Sequence, residues 1–155
     1  MHASSERMAG MFDRWLVFRI AGVGFALALE HLVEIREAGA GVLDRSAADP
    51  EIALLGLLDY RDEAVHAINV RQKIGLPAPE SFETAYLVVN GSDGIWAMPV
   101  DRVEGIFPAR EFRACEVPVL LRMHGEMPYP SIQIWRSEPL VTCEPQMLER
   151  FGDAA

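Results

Sequence analysis

Hydrophobic and polar positions along this chain alternate in short runs instead of recurring at helical spacing. Trp15 to Ile20 is aromatic and branched, the composition of a strand, and Ala21-Gly22-Val23-Gly24 follows as a turn. From Phe25 to Leu29, Phe25, Leu27 and Leu29 fall on one side and alanines on the other, which predicts the returning strand. Glu30 to Ile35 reads as one helical turn running into a further extended piece. Ala38 to Ala48, rich in Gly, Ala and polar residues and closed by Pro50, reads as a mobile loop.

Two apolar runs, Ile52 to Leu58 and Ala64 to Val70, flank the polar knot Asp59-Tyr60-Arg61-Asp62-Glu63 and predict a second hairpin. Val70 to Gly75 predicts a short helix stopped by its glycine, with Leu76-Pro77 beyond. Pro79 to Glu83 reads as a surface linker. Thr84 to Val89 and Ile95 to Val100 predict a hairpin around Asn90-Gly91-Ser92-Asp93-Gly94, with Pro99 marking an edge strand or a strand end. Val103 to Phe107 continues the sheet until Pro108 stops it, and Pro118 to Met127 has no clear period. Ser131 to Trp135, alternating Ile132 and Ile134 with Gln133, pairs with Pro139 to Cys143, and Gln146 to Phe151 closes as a helical turn. Short strands dominate, so a mainly all-β fold of closed sheets with small helical pieces is expected. The linker at Pro77 to Glu83 hints at two groups of strands. The expected organisation is a flexible segment over 1–14, one domain over 15–151 and a tail over 152–155.

The chain has 155 residues, 50% hydrophobic and 24% charged, with a net charge of −9. That excess repels phosphate backbones and anionic lipid, so nucleic acid and direct membrane insertion are disfavoured and basic partners favoured. The longest uncharged stretch, Ile20 to Leu29, is about half of the roughly 20 residues a membrane crossing needs. The N-terminus lacks the basic-then-apolar order of a secretory signal. The expected compartment is therefore cytoplasmic, with Cys115 and Cys143 both free thiols.

Familiar chemistry is missing. Gly22-Val23-Gly24 lacks the third glycine of a phosphate loop and falls in a hairpin. His2, His31, His66 and His124 have no metal-ligand spacing, and neither cysteine has a close Cys or His partner. His66, in an apolar run, reads as a core or strand-face histidine. Cys115 precedes Glu116, whose charge disfavours a thiolate, so packing outweighs nucleophilic catalysis there. Asp59, Asp62 and Glu63 could serve as acid and base, but Arg61 among them points to a solvated, salt-bridged turn.

The middle of the chain resembles the CheW family. The segment Leu54-Leu55-Gly56-Leu57-Leu58-Asp59-Tyr60-Arg61-Asp62, then Ala64 to Arg71 and the exit Ile74-Gly75-Leu76-Pro77, carries the likeness. Trp15-Leu16-Val17-Phe18, the Phe25 strand, Val33-Glu34-Ile35, the Thr84 to Val89 strand and Val100-Asp101-Arg102-Val103 follow in the family's order. The resemblance implies two intertwined five-stranded SH3-like β-barrel subdomains with a hydrophobic groove between them. It implies no enzyme activity and no cofactor. It implies a cytoplasmic adaptor, recruited to membrane receptor arrays, that joins the cytoplasmic tips of chemoreceptors to the regulatory domain of a CheA-like histidine kinase. By the same likeness, Glu34 and Arg61, with Asp62 beside it, stand at charged partner-contact positions, and Leu32 and Ile35 at hydrophobic receptor-facing ones. The plainer reading of these residues makes Leu32 and Ile35 core and pairs Glu34 with Arg61 internally. The chain departs from the family at Asp59-Tyr60-Arg61-Asp62, His66-Ala67, Asn69 and Pro128-Tyr129-Pro130-Ser131, as suits a divergent member. The alternative is a domain that has lost kinase coupling and holds a small apolar ligand between its barrels, lined by Trp96, Met98, Met123 and Met127.

Overall fold

The computed structural model describes residues 13–39, 41–79, 85–119 and 127–151. Most of the N-terminal segment, part of the Pro79 to Glu83 linker, Thr84, His2, Met123, His124 and the tail over 152–155 lie outside the described residues.

Among the described residues, twelve strands form two sheets. The first is built from β1 (Arg14–Ile20), β2 (Val23–Ala28), β9 (Arg102–Pro108), β10 (Phe112–Cys115), β11 (Ile132–Trp135) and β12 (Glu138–Cys143), in the order β10-β11-β12-β2-β1-β9. The second takes the intervening β3 (Leu32–Glu37), β4 (Leu43–Asp44), β5 (Leu54–Tyr60), β6 (Glu63–Ile68), β7 (Ala85–Asn90) and β8 (Ile95–Val100), in the order β3-β7-β8-β6-β5-β4. In each sheet the two edge strands are neighbours in sequence, so each sheet curls to bring its edges together. The expected pair of SH3-like subdomains is present; each sheet carries six strands rather than five, and β4 has only two residues.

Local chemistry explains the hairpins. Ala21-Gly22, Arg61-Asp62 and Arg136-Ser137 each join two antiparallel strands with positive φ at both residues. That is the type I′ geometry whose twist matches the flanking strands. Helix α1 (Val70–Ile74) starts at Asn69, whose side-chain oxygen accepts from the Gln72 N–H at 3.2 Å, and ends at Gly75 in the left-handed region. Helix α2 (Pro145–Arg150) places Leu148 in the core.

The main core lies between the sheets. Leu16, Phe18, Phe25 and Leu27 of the first meet Leu87, Val89, Trp96, Met98 and Val100 of the second. Phe18 and Phe25 stack at 5.3 Å between ring centroids. Each barrel also has its own interior: Leu58, Val65, Tyr86 and Val88 in the second, Val17, Ala26, Trp135 and Leu140 in the first. The predicted alternation in the Phe25 strand is therefore real, and the alanine face is buried too, inside the first barrel.

Several expectations need correction. The division between subdomains is not at Pro77 to Glu83, which lies within the second sheet's sequence; it falls between β2 and β3 and again between β8 and β9. Hydrophobicity marks strands but not which sheet each joins. Pro99 is the last residue but one of β8, so it does mark a strand end, but β8 is an interior strand rather than an edge, and its pairing with β6 involves only Ala67 and Ala97. Ala38 to Ala48 contains β4 and a 3₁₀ turn at Arg45–Ala47. The alternation expected in Ser131 to Trp135 is present in β11, with Gln133 and Trp135 on the buried face because the tryptophan ring fills the first barrel. Strand β10 was not predicted from its short Phe-Arg-Ala-Cys sequence. Trp96 and Met98 are buried in the inter-sheet core, so they fill the space in which they were expected to line a groove.

Candidate functional site

Strand β3 is an edge of the second sheet. A bulge between Leu32 and Glu34 in its pairing with β7 puts Leu32 opposite Val89 and Ile35 opposite Leu87. Both partners belong to the inter-sheet core, so Leu32 and Ile35 share that face of the strand. Leu32 packs against the core from its margin, whereas Ile35 is 40% exposed. An exposed isoleucine at the margin of a buried core is apolar surface available to a partner.

Glu34 and Arg36 lie opposite Val88 and Tyr86 and so take the other face. An Arg36 Nη2 donates to Glu34 Oε2 at 3.0 Å, and Nη1 donates to the Asp59 carbonyl oxygen at the end of β5. The Arg36 guanidinium also stands 6.0 Å from the Tyr60 ring centroid, and that of Arg61 5.4 Å from the same ring. Glu34, Arg36, Tyr60 and Arg61 thus form one cluster joining β3 to the β5–β6 turn. Asp62 completes that turn, exposed beside Arg61. The expected internal pairing of Glu34 with Arg61 is corrected: the partner of Glu34 is Arg36. Arg36 carries no motif signal of its own, although its spacing of two from Glu34 puts both on one strand face.

Another polar junction fixes the two sheets relative to one another. Arg71, in α1 and 8% exposed, pairs with Asp101 between β8 and β9, and its Nη1 donates to the Pro77 carbonyl at 2.8 Å. The second Asp101 oxygen accepts from the Ala21 N–H at 2.7 Å, in the first sheet's hairpin turn. Segments from both barrels are thereby tied at one carboxylate.

A family model described as CheW-like domain matches residues 14–113. The chain belongs to the CheW-like domain family. It also resembles the crystal structure of the scaffolding protein TtCheW from Thermoanaerobacter tengcongensis, with a TM-score of 0.70 and 15% identity over 88% of this chain and 91% of that one. At that identity the likeness concerns the fold. No curated protein matches the chain by sequence.

Elsewhere on this CheW-like domain, Arg19 forms a clasp across the first sheet. Its Nε donates to Glu104 Oε1 at 3.1 Å and its Nη2 to Glu138 Oε2 at 2.9 Å. Hydrogen bonds from Arg19, aided by its charge and opposed by some burial, hold the Glu138 carboxyl below the ordinary glutamate range. A depressed carboxylate stabilises the fold above its unfolded pKa and ceases to do so as pH falls through the folded value. Urea midpoints of wild type and Glu138→Gln should therefore differ near pH 7 and converge as pH falls below the ordinary glutamate range. An undiminished gap at low pH would show that the clasp carries no such linkage.

Among the described residues, no group of three or more His, Cys, Asp or Glu is placed to hold a metal ion. His66 is exposed on β6, and burial pushes the Cys143 thiol pKa up, keeping it protonated. Cys115 is exposed, both cysteines are free, and no described helix is long and apolar enough to cross a membrane.

Proposed function

We propose that this CheW-like domain is a non-catalytic adaptor that couples the cytoplasmic tips of chemoreceptors to the regulatory domain of a CheA-type histidine kinase. The β3 edge carries the reading: Ile35 offers apolar area on one face, while Glu34, Arg36 and Arg61 cluster on the other face of the same edge. Desolvated aliphatic surface supplies affinity, and charges around it supply orientation and association rate. The acidic balance of the chain works against nucleic acid and anionic lipid as alternative partners. In this reading the domain works in the cytoplasm, recruited to receptor arrays without entering the membrane.

The test is capture of each partner, alone and together, by the purified domain. Ile35→Asp should weaken binding to at least one partner about ten-fold, because a charge then has to be desolvated in the contact. Arg61→Ala should weaken it less, and both variants should keep the wild-type circular dichroism spectrum. Binding to neither partner would overturn the proposal, and wild-type affinity of Ile35→Asp for both would remove β3 from it.

A further inference from the structure

The first barrel closes through aromatic side chains. Trp15 on β1 lies 5.8 Å from Phe112 on β10, Phe112 stacks 6.0 Å from Trp135 on β11, and Trp135 lies 4.8 Å from Phe107 on β9. Trp15, Phe107 and Phe112 are only partly buried, so this cluster reaches the surface. Glu111, in the 3₁₀ turn between β9 and β10, sits at its margin and accepts from Trp135 Nε1 at 3.4 Å.

Arg136 already lies in this setting. Its guanidinium is 4.4 Å from the Trp135 ring centroid and 4.9 Å from that of Phe107, with Nη2 3.6 Å from Glu111 Oε1. Aromatic faces beside a carboxylate select a flat, weakly hydrated cation, and arginine fits this better than lysine. Yet the Arg136 side chain is 61% exposed and sits at the tip of a hairpin. It is an occupant resting on the surface, not a member of the core.

We propose that the aromatic mouth of the first barrel is a recognition site for an arginine side chain of a basic partner segment, and that Arg136 occupies this site in the free chain. The chain's net charge of −9 draws such a segment, and Glu111 supplies the local counter-charge. The site is separate from the β3 edge of the second sheet, so the two assignments stand or fall independently. An internal occupant seated about nine-tenths of the time lowers the apparent affinity for an outside one about ten-fold.

The probe is the tripeptide acetyl-Gly-Arg-Gly-amide, titrated into full-length protein and followed by the indole N–H resonance of Trp135, with Trp96 as an internal control. Arg136→Ala should bind it about ten-fold more tightly than wild type. Adding Glu111→Gln to that variant should abolish the gain, and the citrulline analogue, flat but neutral, should not bind. Arg136→Gln keeps much of the side-chain length and is read by the same criteria should the alanine variant fold poorly. Equal affinity of wild type and both Arg136 variants would overturn the proposal. So would a gain that survives Glu111→Gln, or one that citrulline reproduces.

Discussion

Replacing Gly56 by alanine is expected to cost the fold about 3 kcal/mol or more, combining backbone strain of about 1–3 kcal/mol with overpacking of similar size. Gly56 has φ +154°, and a Cβ there would lie 2.3 Å from the Asp44 carbonyl oxygen and 3.2 Å from Leu43 Cγ. The neighbour is backbone, so no rotamer change relieves the clash. It falls at the bulge of β5 and against β4, which pairs there through Leu43 with Leu58 and Asp44 with Leu57. In a chain of this size the loss corresponds to a melting point lower by roughly 10 °C. A thermal melt lowered by less than about 3 °C would show that β4 moves aside freely. Because β5 runs on to the Arg61-Asp62 turn, the same variant should also weaken partner capture.

Phe18→Ala should remove about 3–5 kcal/mol, the usual cost of deleting a fully buried aromatic ring. Phe18 is inaccessible to solvent, stacks on Phe25 and faces residues of the other sheet across the main core. The cavity therefore destabilises both barrels at once. Urea unfolding followed by tryptophan fluorescence and by far-ultraviolet circular dichroism should shift to lower denaturant with the two curves still coincident. Trp15 and Trp135 report on the first sheet and Trp96 on the second. Separated transitions would mean that the barrels are stable apart and that the shared core does not couple them.

Local signals in the sequence were reliable where a residue type has one conformational use. The Gly75 helix stop and the Asn90 to Gly94 connection fell where composition placed them, and of the expected Ala21 to Gly24 turn the first two residues make the turn while Val23 and Gly24 open β2, because turn geometry is set by neighbouring residues. Period-two patterning found most strands. It did not reveal that β1 and β2 join β9 through β12, since pairing across that distance leaves no mark on either strand alone. The buried side of β11 escaped for a related reason: Ile132 and Ile134 look more hydrophobic than Gln133, and only the position of Trp135 against Phe107 and Phe112 decides the matter. Motif order singles out Glu34 and Arg61. Their connection through Arg36 and Tyr60 depends on sheet curl, which brings the edge strand β3 over the end of β5.

Nesting one sheet's sequence inside the other's also sets an order of events as the chain emerges from the ribosome. Every strand of the inner barrel has been synthesised by Val100, whereas the outer barrel then holds only its opening hairpin. That hairpin must wait, apolar on both sides, for partners still to be translated. Leu87 and Val89 of the inner barrel are among the surface it covers in the finished protein. In order of synthesis, the inner barrel's whole set of strands therefore precedes the last four strands of the outer one.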